Sequence, residues 1–67
     1  MFAVRIVETI ASAEGVDPTQ LDFVLEDYID VEAIERLARR DQSDWRLSFS
    51  VAGRTVVVDS SKSIELV

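Results

Sequence analysis

The sequence predicts an α+β domain in which two helices precede a three-stranded antiparallel β-meander and pack on one face of it. Three observations predict this. Apolar residues recur at helical spacing before residue 41, the period changes to two from Trp45 onward, and the helices come before the strands rather than alternating with them. With 67 residues the chain has room for one thin core, so residues 1–67 are expected to form a single domain.

Along Ala3 to Glu14 the residues Ala3, Ile6, Val7, Ile10 and Ala13 fall on one side of a helix, with Arg5, Glu8, Thr9 and Ser12 opposite. Gly15 supplies the left-handed position that ends such a helix. In Val16-Asp17-Pro18-Thr19-Gln20, Asp17 suits an N-cap, Pro18 the first helical position and Gln20 the capping-box partner, so a short helical turn runs to about Leu21. Asp22 to Ile29 has no clean period and is expected to be an irregular plug that brings Leu25 and Ile29 to the core.

Asp30 caps a second helix, Val31 to Arg40, whose apolar side is Val31, Ala33, Ile34, Leu37 and Ala38. Glu32 with Arg36, and Glu35 with Arg39, are acid-before-base pairs four residues apart. Asp41 to Asp44 is a polar linker. Trp45, Leu47, Phe49 and Val51 then alternate with Arg46, Ser48 and Ser50, and Ala52-Gly53 makes a tight turn into a strand carrying Val56 and Val58. Pivoting there sets Val51 against Arg54, Phe49 against Val56 and Leu47 against Val58, which gathers the large apolar residues on one side. Arg46 then lies across from Asp59 on the solvent side. Ser60-Ser61-Lys62 turns the chain into a last strand, Ser63 to Val67, with Ile64 opposite Val58 and Leu66 opposite Val56.

Composition excludes several kinds of chemistry. The chain has no cysteine and no histidine, which removes disulfides, the usual zinc ligand sets and histidine acid-base catalysis. No apolar run approaches the roughly 20 residues that span a bilayer, and no signal peptide is legible, so a cytoplasmic location is expected. Thirteen acids against seven bases give a net charge of −6, and six of the bases are arginine, with Lys62 the one lysine. Such a field repels free nucleic acid and anionic membrane. An acid-rich, lysine-poor, asparagine-free composition suits a cytoplasm with molar salt, where screening acts within about 3 Å.

Candidate sites divide on spacing. Asp22, Glu26, Asp27, Asp30, Glu32 and Glu35 crowd the middle of the chain, but without the alternating acids and central glycine of a calcium loop. Ser43, Ser48, Ser50, Ser60, Ser61 and Ser63 have no histidine to activate them, and Lys62 sits in a turn rather than in the pocket that a serine-lysine pair needs. No catalytic residue, cofactor, metal or small-molecule ligand is therefore expected, and the chain reads as non-enzymatic. Arg36, Arg39, Arg40 and Arg46 offer an alternative reading, a small transcriptional regulator touching nucleic acid. The outer face of the sheet is more informative. Ser48, Ser50, Thr55 and Val57 are small or β-branched and no predicted element covers them, while the last strand carries one charge, Glu65, to discourage edge pairing. These five residues are the candidate surface for a protein partner or a second copy.

Taken together, Ala13-Glu14-Gly15-Val16-Asp17-Pro18-Thr19-Gln20-Leu21, then Tyr28-Ile29-Asp30 leading to Ala33 and Leu37, then Phe49-Ser50-Val51-Ala52-Gly53 with Val56 and Val58, resemble the haloarchaeal output domain, type 1. The resemblance spans nearly the whole chain. It implies a haloarchaeal cytoplasmic output module of signal transduction and brings no catalytic residues with it. Two positions depart from the pattern: Phe23-Val24-Leu25 lacks the proline that tends to precede the leucine, and Ser61-Lys62 replaces a glycine-bearing turn. Because the chain begins at Met1 and holds only this domain, its signalling is expected to act in trans.

Overall fold

The computed structural model describes residues 1–40 and 43–67, so Asp41 and Gln42 of the expected linker lie outside the described residues. Helix α1 (Phe2–Glu14) is followed by single 3-10 turns at Pro18–Gln20 and Leu25–Asp27, then α2 (Val31–Ala38). Strands β1 (Arg46–Val51), β2 (Arg54–Asp59) and β3 (Ile64–Leu66) form an antiparallel sheet in that order. The α+β architecture matches the expectation, with α1 against α2 and β3.

The hairpin register is the one that the alternation predicts. Leu47 pairs Val58, Phe49 pairs Val56, Val51 pairs Arg54 and Arg46 pairs Asp59, while Val56 meets Leu66 and Val58 meets Ile64 across the second ladder. Ala52 and Gly53 both take positive φ, 51° and 82°, as a two-residue hairpin turn of the favoured twist requires. The β3 ladder is extended at both ends, since Asp59 N–H donates to the Ser63 carbonyl and Val67 N–H to that of Thr55.

The core joins Phe2, Ala3, Ile6 and Ile10 of α1 to Leu25, Ile34, Val51, Val56 and Val58. The buried side of α1 is rotated from the expected stripe. Phe2 and Ala11 are buried, Val7 is half-buried and Ala13 is exposed, because the helix starts one residue earlier and packs its Phe2 ring edge-on against Trp45 with centroids 6.5 Å apart. Leu25 reaches the core from an ordered 3-10 turn rather than an irregular plug, and Ile29 packs beside it half-buried. Gly15 closes α1 at φ 72°, and Asp17 and Gln20 form the expected capping box.

Helix α2 differs from expectation in three ways. It ends at Ala38, with Arg39 as its cap, and Ala33 points outward. More important, Glu35 does not pair with Arg39. Its carboxylate accepts from the N–H groups of Phe2 and Ala3, each at 3.1 Å, and so caps α1 from the neighbouring helix. Met1 has no side chain able to do this, and those first-turn donors would otherwise be unpaired. The carboxylate also meets the positive end of the α1 dipole. Glu32 and Arg36 do pair, at 3.7 Å on an exposed surface, where such a bridge contributes little.

The turn after β2 is organised by one carboxylate. Asp59 Oδ1 accepts from Ser61 Oγ at 2.6 Å, from Ser61 N–H at 3.0 Å and from Ser63 N–H at 3.3 Å, while Lys62 takes φ 69°. The Ser61 hydroxyl is the main cause that holds the Asp59 pKa below its ordinary value, with the two backbone donors and the Arg46 charge adding to it against a desolvation that raises it. Asp17 is lowered in the same direction by the Thr19 N–H and hydroxyl.

Three predictions follow from this packing. Replacing Glu35→Gln leaves one acceptor oxygen and no charge at the α1 start, and should lower stability in urea denaturation by about 1 kcal/mol. Ala52→Asn removes part of the cost of a left-handed alanine and should raise the unfolding free energy in urea by about 0.5 kcal/mol. Because the folded pKa of Asp59 is depressed, its contribution to stability is complete above the ordinary aspartate value and is lost as pH falls through the folded one. The carboxyl carbon shift of Asp59 should accordingly titrate below the ordinary aspartate value, and a midpoint at that value would refute the turn's role.

Candidate functional site

The five residues singled out on the outer sheet face lie together. Cross-strand partners share a face, so Ser48, Val57 and Glu65 form one row across all three strands, and Ser50 and Thr55 form the next. Ser48, Ser50 and Glu65 are exposed, and Thr55 and Val57 are half-buried among their neighbours. Their alternation partners Val56 and Val58 are fully buried beneath the helices, which confirms that the rows face away from the core. Arg46 and Asp59 close one end of this face with opposite charges.

Beside these rows runs an edge. The Ser60 N–H donates to the Trp45 carbonyl at 3.0 Å, so odd-numbered residues of β1 carry the ladder bonds to β2. By the alternation of an antiparallel pair, the backbone groups of Arg46, Ser48 and Ser50 point the other way, along the outer edge of the sheet. Sequence reasoning took both outer strands as open edges and singled out the last for its low charge; β3 forms the other edge of the sheet and spans three residues. The six-residue β1 is the longer outer strand. Strand length could have indicated this, since Arg46 to Val51 alternates without interruption.

The arginines of the alternative reading do not form one patch. Arg36 and Arg40 line a groove with Ala33, Leu37 and Leu47 between α2 and β1, whereas Arg39 borders a different hollow with Arg5 and Lys62. Arg5 is itself engaged, donating to the Lys62 carbonyl at 3.1 Å and lying 5.6 Å from the Phe2 ring centroid. Arg54 faces the helices and approaches Glu14 at 3.9 Å.

The acids of the middle segment are likewise dispersed into separate structural tasks. Asp30 caps α2 by accepting from Ala33 N–H at 3.2 Å, Glu32 pairs with Arg36, and Glu35 caps α1. Among the described residues no group of three or more His, Cys, Asp or Glu side chains is arranged to hold a metal ion. No helix among them is long and apolar enough to cross a membrane. The Nε1 of Trp45 is buried without a partner among the described residues, in the hydrophobic contact with Phe2.

Comparison with known proteins places these features in a family. No curated protein and no solved structure matches the chain significantly. A family model does match, that of halobacterial output domain 1, over residues 2–67, and it covers both helices, the capping-box turn and all three strands. The chain belongs to the halobacterial output domain 1 family.

Proposed function

We propose that this domain is a non-enzymatic signal-output module of a haloarchaeal cytoplasm, and that it works by binding a protein through the open side of its sheet. The observation that carries this reading is the pair of uncharged cross-strand pairs, Ser48 with Val57 and Ser50 with Thr55, running beside the outer edge of β1. Acids are thickest on the helices and turns, so on a chain of charge −6 this face can accept another polypeptide with little repulsion. A partner strand can add to β1 through backbone hydrogen bonds and take specificity from the side chains of the open face. Glu65 marks the far boundary of that footprint. Nucleic-acid binding is disfavoured by the negative net charge and by the division of the arginines between two sides of α2.

The double variant Ser48→Lys with Ser50→Lys tests this reading, because lysines on an edge strand oppose strand addition without touching the core. The tagged domain should retain the same protein reproducibly from haloarchaeal extract in molar salt, and the variant should lose it. Its unfolding free energy should stay within about 0.5 kcal/mol of the parent, as for surface changes in general. A parent domain that is strictly monomeric on gel filtration and retains nothing would overturn the proposal.

A further inference from the structure

The side of the molecule remote from the open sheet face carries a second feature. Among the described residues, Met1 (81 % exposed), Val4 (50 %) and Val24 (52 %) are large apolar side chains turned to solvent, and all three line one groove of about 380 Å³. On its α1 wall, Met1, Val4 and the half-buried Val7 recur every three residues, an apolar ridge that adjoins the core through Val7 and runs out to solvent at Val4 and Met1. Phe23 and Val24 form the opposite wall. The Phe23 ring is held edge-on by Tyr28 at 5.8 Å, so that wall is braced from behind. The apolar surface at the start of α1 thus extends past the core, at Met1 and Val4.

The charge around this groove selects its occupant. Glu8 and Glu26 line it and no basic side chain does; Glu8 also borders the neighbouring hollow that holds Arg5, Arg39 and Lys62, and neither acid makes an ion pair among the described residues. A second copy of this chain would bring the same acids against them, and an anionic lipid surface would be repelled for the same reason. We propose that this groove docks a basic amphipathic helix of a partner protein, whose apolar stripe packs against Val4, Val7 and Val24 and whose lysines or arginines reach Glu8 and Glu26. The ridge-and-wall shape suits a helix rather than a strand, because apolar anchors three and four residues apart match the spacing along α1. This site is independent of the sheet face, so either can fail without the other.

A synthetic amphipathic helix of leucine and lysine, beside its leucine and glutamate counterpart with the same apolar pattern, provides the probe. Titrated into isotopically labelled domain, the lysine peptide should shift the amide resonances of Val4, Val7, Glu8, Val24 and Glu26 and leave those of Ser48, Ser50 and Val57 in place. Val24→Asp, on an exposed position, should weaken that binding about tenfold, and the pair Glu8→Lys with Glu26→Lys should transfer preference to the glutamate peptide. A circular dichroism spectrum unchanged from the parent certifies each variant as folded; should Val24→Asp fail that check, Val4→Asp takes its place. The proposal is overturned if both peptides bind equally, if the shifts map to the sheet or to no defined site, or if the variants bind as the parent does. It is also overturned if the groove resonances move with domain concentration alone, which would make a second copy the occupant.

Discussion

The pairing of β1 with β2 about Ala52-Gly53 is the constraint on which the other features rest. A slip of one residue would either carry Val56 and Val58 to solvent or bring Ser48 and Ser50 against the helices, since side chains on a strand alternate strictly. The turn prevents this because two residues at positive φ admit only one closure of the hairpin. Both sides of the sheet follow from that choice. The inner side receives the Val51, Val56 and Val58 that complete the core, and the outer side is left with small residues. The core and the proposed binding face are therefore two consequences of a single register.

The helices are held to this sheet by a mixture of burial and one polar clasp. Ile6, Ile10 and Ile34 belong to one buried apolar cluster, and such contacts are non-directional. The Glu35 carboxylate supplies direction, because it meets two N–H groups at the very start of α1 and so fixes where that helix begins relative to α2. That starting point in turn sets the rotation of α1. With Phe2 inside, the Met1, Val4 and Val7 ridge is left facing the loop at Phe23 and Val24.

Acidity, which dominates the composition, is distributed by local duty. Asp17 and Asp30 cap helical turns, Asp59 gathers the donors of the last turn, and Glu32 pairs along its helix. Glu8 and Glu26 have no such duty and stand on an apolar groove instead. The contrast between employed and unemployed carboxylates separates those that build the fold from those that colour its surface.

Most of the fold was legible in the sequence because its signals are local. The helical period of α1 and α2, the capping-box residues at Asp17 and Gln20, the left-handed Gly15 and the strand alternation each follow from a few neighbouring residues, and the hairpin register follows from one turn between two such strands. The uncharged patch of Ser48, Ser50, Thr55 and Val57 on the outer sheet face was legible for the same reason. Three features were decided by tertiary packing. Glu35 chose the end of another helix over its own Arg39, since two N–H groups at a dipole's positive end outweigh an exposed ion pair. The rotation of α1 followed from Phe2 meeting Trp45, residues 43 positions apart by their numbers. The groove at Val4 and Val24 exists only because a helix and a loop distant in sequence were brought side by side, and no periodicity within either segment encodes that meeting.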